Sequence, residues 1–291
     1  MERAKRRQQL TAVLFLTPNL LGFLVFVLYP VFRAFIISCT NWDGFAKMDF
    51  IGIKNYVSLF SDETFLISLK NTLVYTVITV PCSVIFGILM ALVMNVKLPG
   101  IKLFRTIYFL PQVTSMIAIG LVWATVLANT GPINQMLMAM GISDPPKWLS
   151  SSAWALISVA IVSIWRSMGY NAIILLAGLQ GISVDLYEAA RIDGANSMQR
   201  FFKITMPMLS PSIFFVLITQ LISSFKVFDI IMAMTQGGPG RATNVLAYFV
   251  YQRSFVNFRF GYASAAAFIL FFIILLITIV QFIGQKKWVN Y

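Results

Sequence analysis

The chain has 291 residues, of which 59% are hydrophobic and 11% charged, with a mean hydropathy of +0.82. A soluble domain carries about 25% charged residues, so an apolar excess of this size has to face lipid; at about 20 apolar residues per crossing, the length allows roughly six helical spans and little else. The net charge of +12 does not indicate nucleic acid, because the basic residues are scattered between apolar stretches as membrane-flanking charge.

The charged leader Glu2–Arg7 lacks a small-residue cleavage site after the apolar run, and reads as the start of a retained first span. That span runs from about Leu10 to Cys39, broken by Pro18 and Pro30. The second is Thr72–Met94, with Pro81 inside, and the third is Thr106–Leu127, with Pro111 near its start. The fourth is Ala153–Leu179, the fifth Pro211–Met234, and the sixth, Ala263–Ile283, carries no charge over 21 residues. Prolines are tolerated in such helices because neighbouring groups satisfy the freed carbonyls. No internal repeat or low-complexity linker appears, so a single domain over residues 1–291 is expected. Cys39 and Cys82 have no metal-ligand spacing and read as packing residues.

Between spans, Asn41–Leu69 is the longest outer loop before the first hairpin. Thr130–Ser152 holds Gly131-Pro132 and Pro145-Pro146, a turn-rich, re-entrant or surface-lying segment. Thr235–Tyr262 opens on the turn Gly237-Gly238-Pro239-Gly240, followed by a surface helix over Asn244–Ser254. One set of alternate termini and loops carries Arg3, Lys5, Arg6, Arg7, Lys97, Lys102, Arg105, Arg191, Arg200, Lys203, Lys286 and Lys287, twelve in all. The opposite set carries seven: Lys47, Lys54, Lys70, Lys147, Arg241, Arg253 and Arg259. The excess puts both termini in the cytoplasm. Arg33 reads as snorkelling to the outer interface.

The loop between the fourth and fifth spans, about residues 181–210, is the most specific stretch. Asp185 and Glu188 have capping-box spacing, and Ala189, Ala190 and Arg191 favour helix. Gly194 stands where the helix must stop and reverse. Asn196 and Gln199 form a second capping-box pair, Phe201, Phe202 and Ile204 give an apolar face, and Pro207 and Pro211 end the second helix. Two short amphipathic helices at about a right angle are expected.

Polar side chains inside lipid are expensive, and are candidates for function. On the fourth span Ser163, Arg166, Ser167, Tyr170 and Asn171 recur on one side. On the fifth, Gln220, Ser223, Ser224 and Lys226 cluster, with Asp229 following. Tyr170, Phe225 and Phe228 offer aromatic faces. The same residues also suit helix-to-helix hydrogen bonding, and Asp229 can pair with Lys226 or Arg166. An unpaired cation between the spans would favour an acidic solute.

Glu188-Ala189-Ala190, Gly194, Ile204 and Pro207 resemble the "EAA" signature of ABC-importer permeases, departing only in Met206, where that family has leucine. Tyr187, Ile192-Asp193-Gly194-Ala195 and Phe202-Lys203 resemble its carbohydrate-uptake branch. Pro18-Asn19, Tyr29-Pro30, Phe50-Ile51-Gly52, Asn55-Tyr56, Asn71-Thr72, Leu110-Pro111, Thr235-Gln236-Gly237-Gly238-Pro239 and Gly261-Tyr262-Ala263-Ser264-Ala265 resemble the maltose and glycerol-3-phosphate type, as the first of two paired permeases, without the large outer insertion of the enteric maltose member. The resemblance implies an all-α integral membrane fold, the six-helix type I importer domain with a cytoplasmic coupling helix. It implies that Tyr187, Glu188, Ala189, Ala190, Arg191, Asp193 and Gly194 couple to an ATPase, and that a sugar pocket lies between the fourth and fifth spans. It also implies a second homologous permease, two ATP-binding subunits holding ATP and Mg, and an extracellular solute-binding protein. This chain itself has no G-x-x-x-x-G-K phosphate loop and no histidine, so no cofactor, metal or catalytic residue is expected in it. The other readings are an ion-coupled secondary transporter for a polar solute, with Asp229 as its carboxylate, and a structural or regulatory membrane subunit.

Overall fold

The computed structural model describes residues 2–45, 47–96 and 98–290, with side chains from residue 11 onward except residue 12. Lys97 and the side chains of Arg3, Lys5, Arg6 and Arg7, which enter the charge count, lie outside the described residues. Among the described residues the regular structure is helical, apart from one bridge, Thr40 to Phe50. Five helices are long and apolar enough to cross a membrane: Val13–Ser38, Glu63–Met94, Ala155–Gln180, Ser197–Phe225 and Phe260–Lys287.

The third apolar segment departs from the single expected span. It is two helices, Ile101–Val113 and Met116–Val126, bent by 99° at Thr114 and Ser115. Both residues at the break are extended, and the Thr114 hydroxyl donates to the Leu110 carbonyl at 3.0 Å, the acceptor a continuing helix would give to a backbone N–H. The fifth span also stops short of the expected Met234. It ends at Phe225, and a separate short helix, Asp229–Met234, follows after Phe228 leaves helical geometry at φ −140°. The Ser224 hydroxyl turns back on the Leu221 carbonyl at 2.8 Å as the helix ends. At its other end the second span begins earlier than its apolar run, because Asp62 caps the helix by accepting from the N–H groups of Thr64 and Phe65.

Pro207 and Pro211 do not end the loop's second helix. The chain is helical from Ser197 through Phe225, with a π turn at Phe201–Thr205 in which Met206 N–H reaches the Phe201 carbonyl. Pro207 falls in the first turn after it, where a missing N–H is tolerated. Pro211 leaves the Pro207 carbonyl without its usual donor, and the Ser210 hydroxyl supplies one at 2.6 Å. The first span repeats the arrangement, with a π turn at Leu24–Leu28 and Pro30 just after it.

The chain divides into two compact units. One holds the residues up to Ser61 together with Val250–Ile269. In it, Trp42 and Phe255 pack on Phe260, and buried Asn55 donates to the Ser38 and Thr40 carbonyls at 2.9 and 2.7 Å. Tyr56 shares a 2.7 Å hydrogen bond with Ser38, and burial holds its phenol above the ordinary value of 10.0. The other unit holds Asp62–Phe249 and the chain from Leu270. Its core packs Val84, Ala91 and Met94 of the second span against Leu175, Leu176 and Leu179 of the fourth and Leu209, Ile213 and Val216 of the fifth. Small residues let these helices approach. A Cβ built on Gly169 would overlap the Tyr108 carbonyl, so the third and fourth spans touch backbone to backbone.

Gly169→Val should therefore destabilise the folded protein by about 1–3 kcal/mol. A lower unfolding temperature of the purified protein is the expected reading; Gly284→Val, where nothing lies within 4 Å, is the control.

Candidate substrate cavity and the loop that faces it

The second, third, fourth and fifth spans enclose a cavity of about 400 Å³. The fourth span contributes Ser163, Arg166, Ser167 and Tyr170, and the fifth contributes Gln220, Ser223, Ser224 and, at its end, Lys226. Asp229 lines it from the short helix that follows. Both interruptions of helix border the cavity: Lys226 and Asp229 flank one and bring charge, and Gln112 and Met116 flank the other.

Arg166 ties the bent third span to the fourth. Its Nη2 donates to the Gln112 carbonyl at 3.1 Å. In an unbroken helix that carbonyl would accept from the N–H four residues on, and the bend removes this donor. No ion pair within 4.0 Å joins Asp229 to Lys226 or Arg166, so neither expected pairing is made. Arg166 Nε and Gln112 Oε1 are buried without a hydrogen-bond partner.

Asn171, expected at the cavity, lies behind its wall. It is fully buried, accepts from Gln220 Nε2 at 2.8 Å, and donates weakly to the Ser83 carbonyl at 3.4 Å. It stands about 100° round the helix from its neighbour Tyr170, on the seam between spans. Phe225 is likewise packed inside at 1% exposure, whereas Phe228 and Tyr170 reach the cavity. The sequence reading missed the second span's contribution: Tyr75, Thr79 and Ser83 form part of the wall. Their spacing of four is the signal for one polar stripe on an apolar helix. Ser83 and Ser167 meet at 3.0 Å across the seam.

Ser183, not Asp185, caps the loop helix Val184–Ile192, its hydroxyl accepting from Asp185 N–H at 3.2 Å. The expected Asp185–Glu188 box is thus not formed, since Asp185 is already within the first turn. The end is a Schellman turn: Ala195 N–H reaches the Ala190 carbonyl at 2.8 Å, and Gly194 N–H reaches Arg191 at 3.0 Å. Gly194 sits at φ +74°, where a side chain is strained. The Asn196–Gln199 capping box forms with both bonds at 2.8 Å. Tyr187 turns inward and shares a 3.0 Å bond with Thr205, locking the loop helix to the root of the fifth span. Glu188, Ala189, Arg191, Asp193 and Gly194 are exposed, and Ala190 is half-buried. Ile192, which the sequence reading did not place among the coupling residues, is 87% exposed, with Val184, Met198 and Phe202 also open.

Apolar helices around a polar cavity, joined by a rigid exposed reversal, define a membrane transport protein. Residues 83–289 match the family described as binding-protein-dependent transport system inner membrane component, and the chain belongs to it. It is 36% identical over 293 residues to the probable ABC transporter permease protein YesP of Bacillus subtilis (strain 168), covering 99% of this chain and 94% of that one. It is 34% identical over 288 residues to the lactose transport system permease protein LacF of Rhizobium radiobacter, covering 97% and 96%. Its fold matches a chain of a bacterial ABC transporter involved in import of the acidic polysaccharide alginate, with a TM-score of 0.84 at 27% identity over 98% of both chains. The resemblance to ABC-importer permeases read from the loop is borne out, as is the helical importer fold.

Asn171→Leu and Gln220→Leu should each destabilise the protein by about 1–3 kcal/mol, because each leaves the partner amide unpaired. The double variant should cost less than the sum, since the shared bond is lost once. Thermal unfolding of all three measures this, and strict additivity would count against the pair as a brace.

Proposed function

We propose that this chain is one of two homologous permease subunits of an ATP-driven importer, taking up a sugar or oligosaccharide handed over by an extracellular binding protein. In this reading residues 1–291 form one transmembrane domain in the bacterial inner membrane, with both termini in the cytoplasm. ATP and Mg are held by two separate ATPase subunits, which grip the loop helix through Glu188, Arg191 and the exposed apolar residues around them. The sugar-uptake names of relatives such as the lactose permease support the cargo class, and so does a solved alginate transporter in complex with its pentasaccharide-bound periplasmic protein.

The observation that carries the proposal is the helix Ser197–Phe225. It starts in the exposed loop and ends at the cavity residues Ser223 and Ser224. At about 1.5 Å per residue, it delivers a displacement of the loop to the cavity across the membrane's thickness. The Tyr187–Thr205 bond and the Schellman turn make the loop follow as one body. Alternating access then follows from motion of the fourth and fifth spans around a central site.

Vesicles holding the full assembly should take up sugar only with both ATP and binding protein present. Uptake that survives ATP depletion and follows an ion gradient would instead support a secondary transporter using Asp229. Gly194→Val costs about 1–2 kcal/mol in the left-handed backbone, and should lower uptake per ATP hydrolysed about tenfold. Unchanged coupling in that variant would remove the loop from the transmission path.

A further inference from the structure

Three formal charges line the cavity, Arg166, Lys226 and Asp229, and they sum to +1. None is neutralised by a contact ion pair with another. Arg166 has one donor engaged on the Gln112 carbonyl, while its Nε is buried and without an acceptor. A buried charged donor left unpaired is costly. Gln112 Oε1 is also buried and lacks a donor. The remaining polar lining, including Tyr75, Thr79, Ser83 and Gln220, is neutral hydroxyl and amide, suited to pyranose hydroxyls.

A neutral sugar satisfies the hydroxyl and amide groups and leaves the excess positive charge and the guanidinium N–H as they are. A sugar bearing a carboxylate brings the charge to zero and offers the planar acceptor that a guanidinium fork matches. Lys226, exposed at the end of the fifth span, adds a second cation to the lining.

We propose that the cavity selects uronate-containing saccharides, with Arg166 and Lys226 receiving the carboxylate. This rests on the sugar-permease reading. The test is uptake by the complete reconstituted importer with its binding protein. The probes are di- and trisaccharides of glucuronate, galacturonate and mannuronate, their methyl esters, and neutral gluco- and galacto-oligosaccharides. The expected result is uptake of a uronate, with its methyl ester at least about tenfold poorer, the effect of losing a charged hydrogen-bond partner. Lys226→Gln should raise the apparent KM for that uronate by a similar factor, and Lys226→Arg should restore it. Uptake of neutral saccharides as good as that of uronates, or of esters as good as that of acids, overturns this inference and leaves the permease reading standing. ATP-dependent uptake of no saccharide at all overturns the sugar reading, and this inference with it. Where Lys226→Gln fails to assemble, as size-exclusion chromatography reveals, the acid-against-ester comparison decides alone.

Discussion

The hydrogen bond from Arg166 to the Gln112 carbonyl is the interaction on which the cavity depends. A helix cannot bend by 99° in a low-dielectric setting unless the backbone groups it frees are met. The guanidinium meets the carbonyl at the bend, and the Thr114 hydroxyl meets another one turn before it. The bend in turn opens the space between the third and fourth spans that the cavity occupies. Gly169 completes the arrangement by letting the fourth span lie directly against the Tyr108 carbonyl. A residue first noticed as an expensive charge in lipid is therefore part of the scaffold as well as part of the wall.

The loop between the fourth and fifth spans solves a different problem with local means. Ser183 starts its helix, Gly194 ends it, and Asn196 with Gln199 starts the next. Each device satisfies backbone groups within a few residues, so the reversal holds its shape while exposed to water. A π turn then carries the helix past two prolines without breaking it. The result is a continuous helical connection from an exposed loop to the polar cavity.

Much of this was legible in the sequence because it is written in local signals. Gly194 and the Asn196–Gln199 pair are short-range features with one physical reading, and the apolar runs mark spans by length alone. Serine and tyrosine at helical spacing on the fourth span correctly pointed to one face. What was not legible depends on contacts between distant residues. The bend at Thr114 and Ser115 needs Arg166, which lies far away in the chain. Asn171 and Ser167 look alike in the sequence, and only the packing of Gly87 against Asn171 decides which of them faces inward. The prolines at 207 and 211 read as helix ends because the compensating π turn and the Ser210 hydroxyl have no sequence signature of their own.

The amide pair of Asn171 and Gln220 bears on where such a protein can part. It fastens the fourth span to the fifth in the middle of the fold, with Ser83 and Ser167 fastening the second to the fourth nearby. Asn171 is sealed from water, so parting the fourth and fifth spans would leave its amide without a partner. The second, fourth and fifth spans are thereby fastened to one another as a plate. A change of shape in such a fold costs less at the edges of that plate than along its seams.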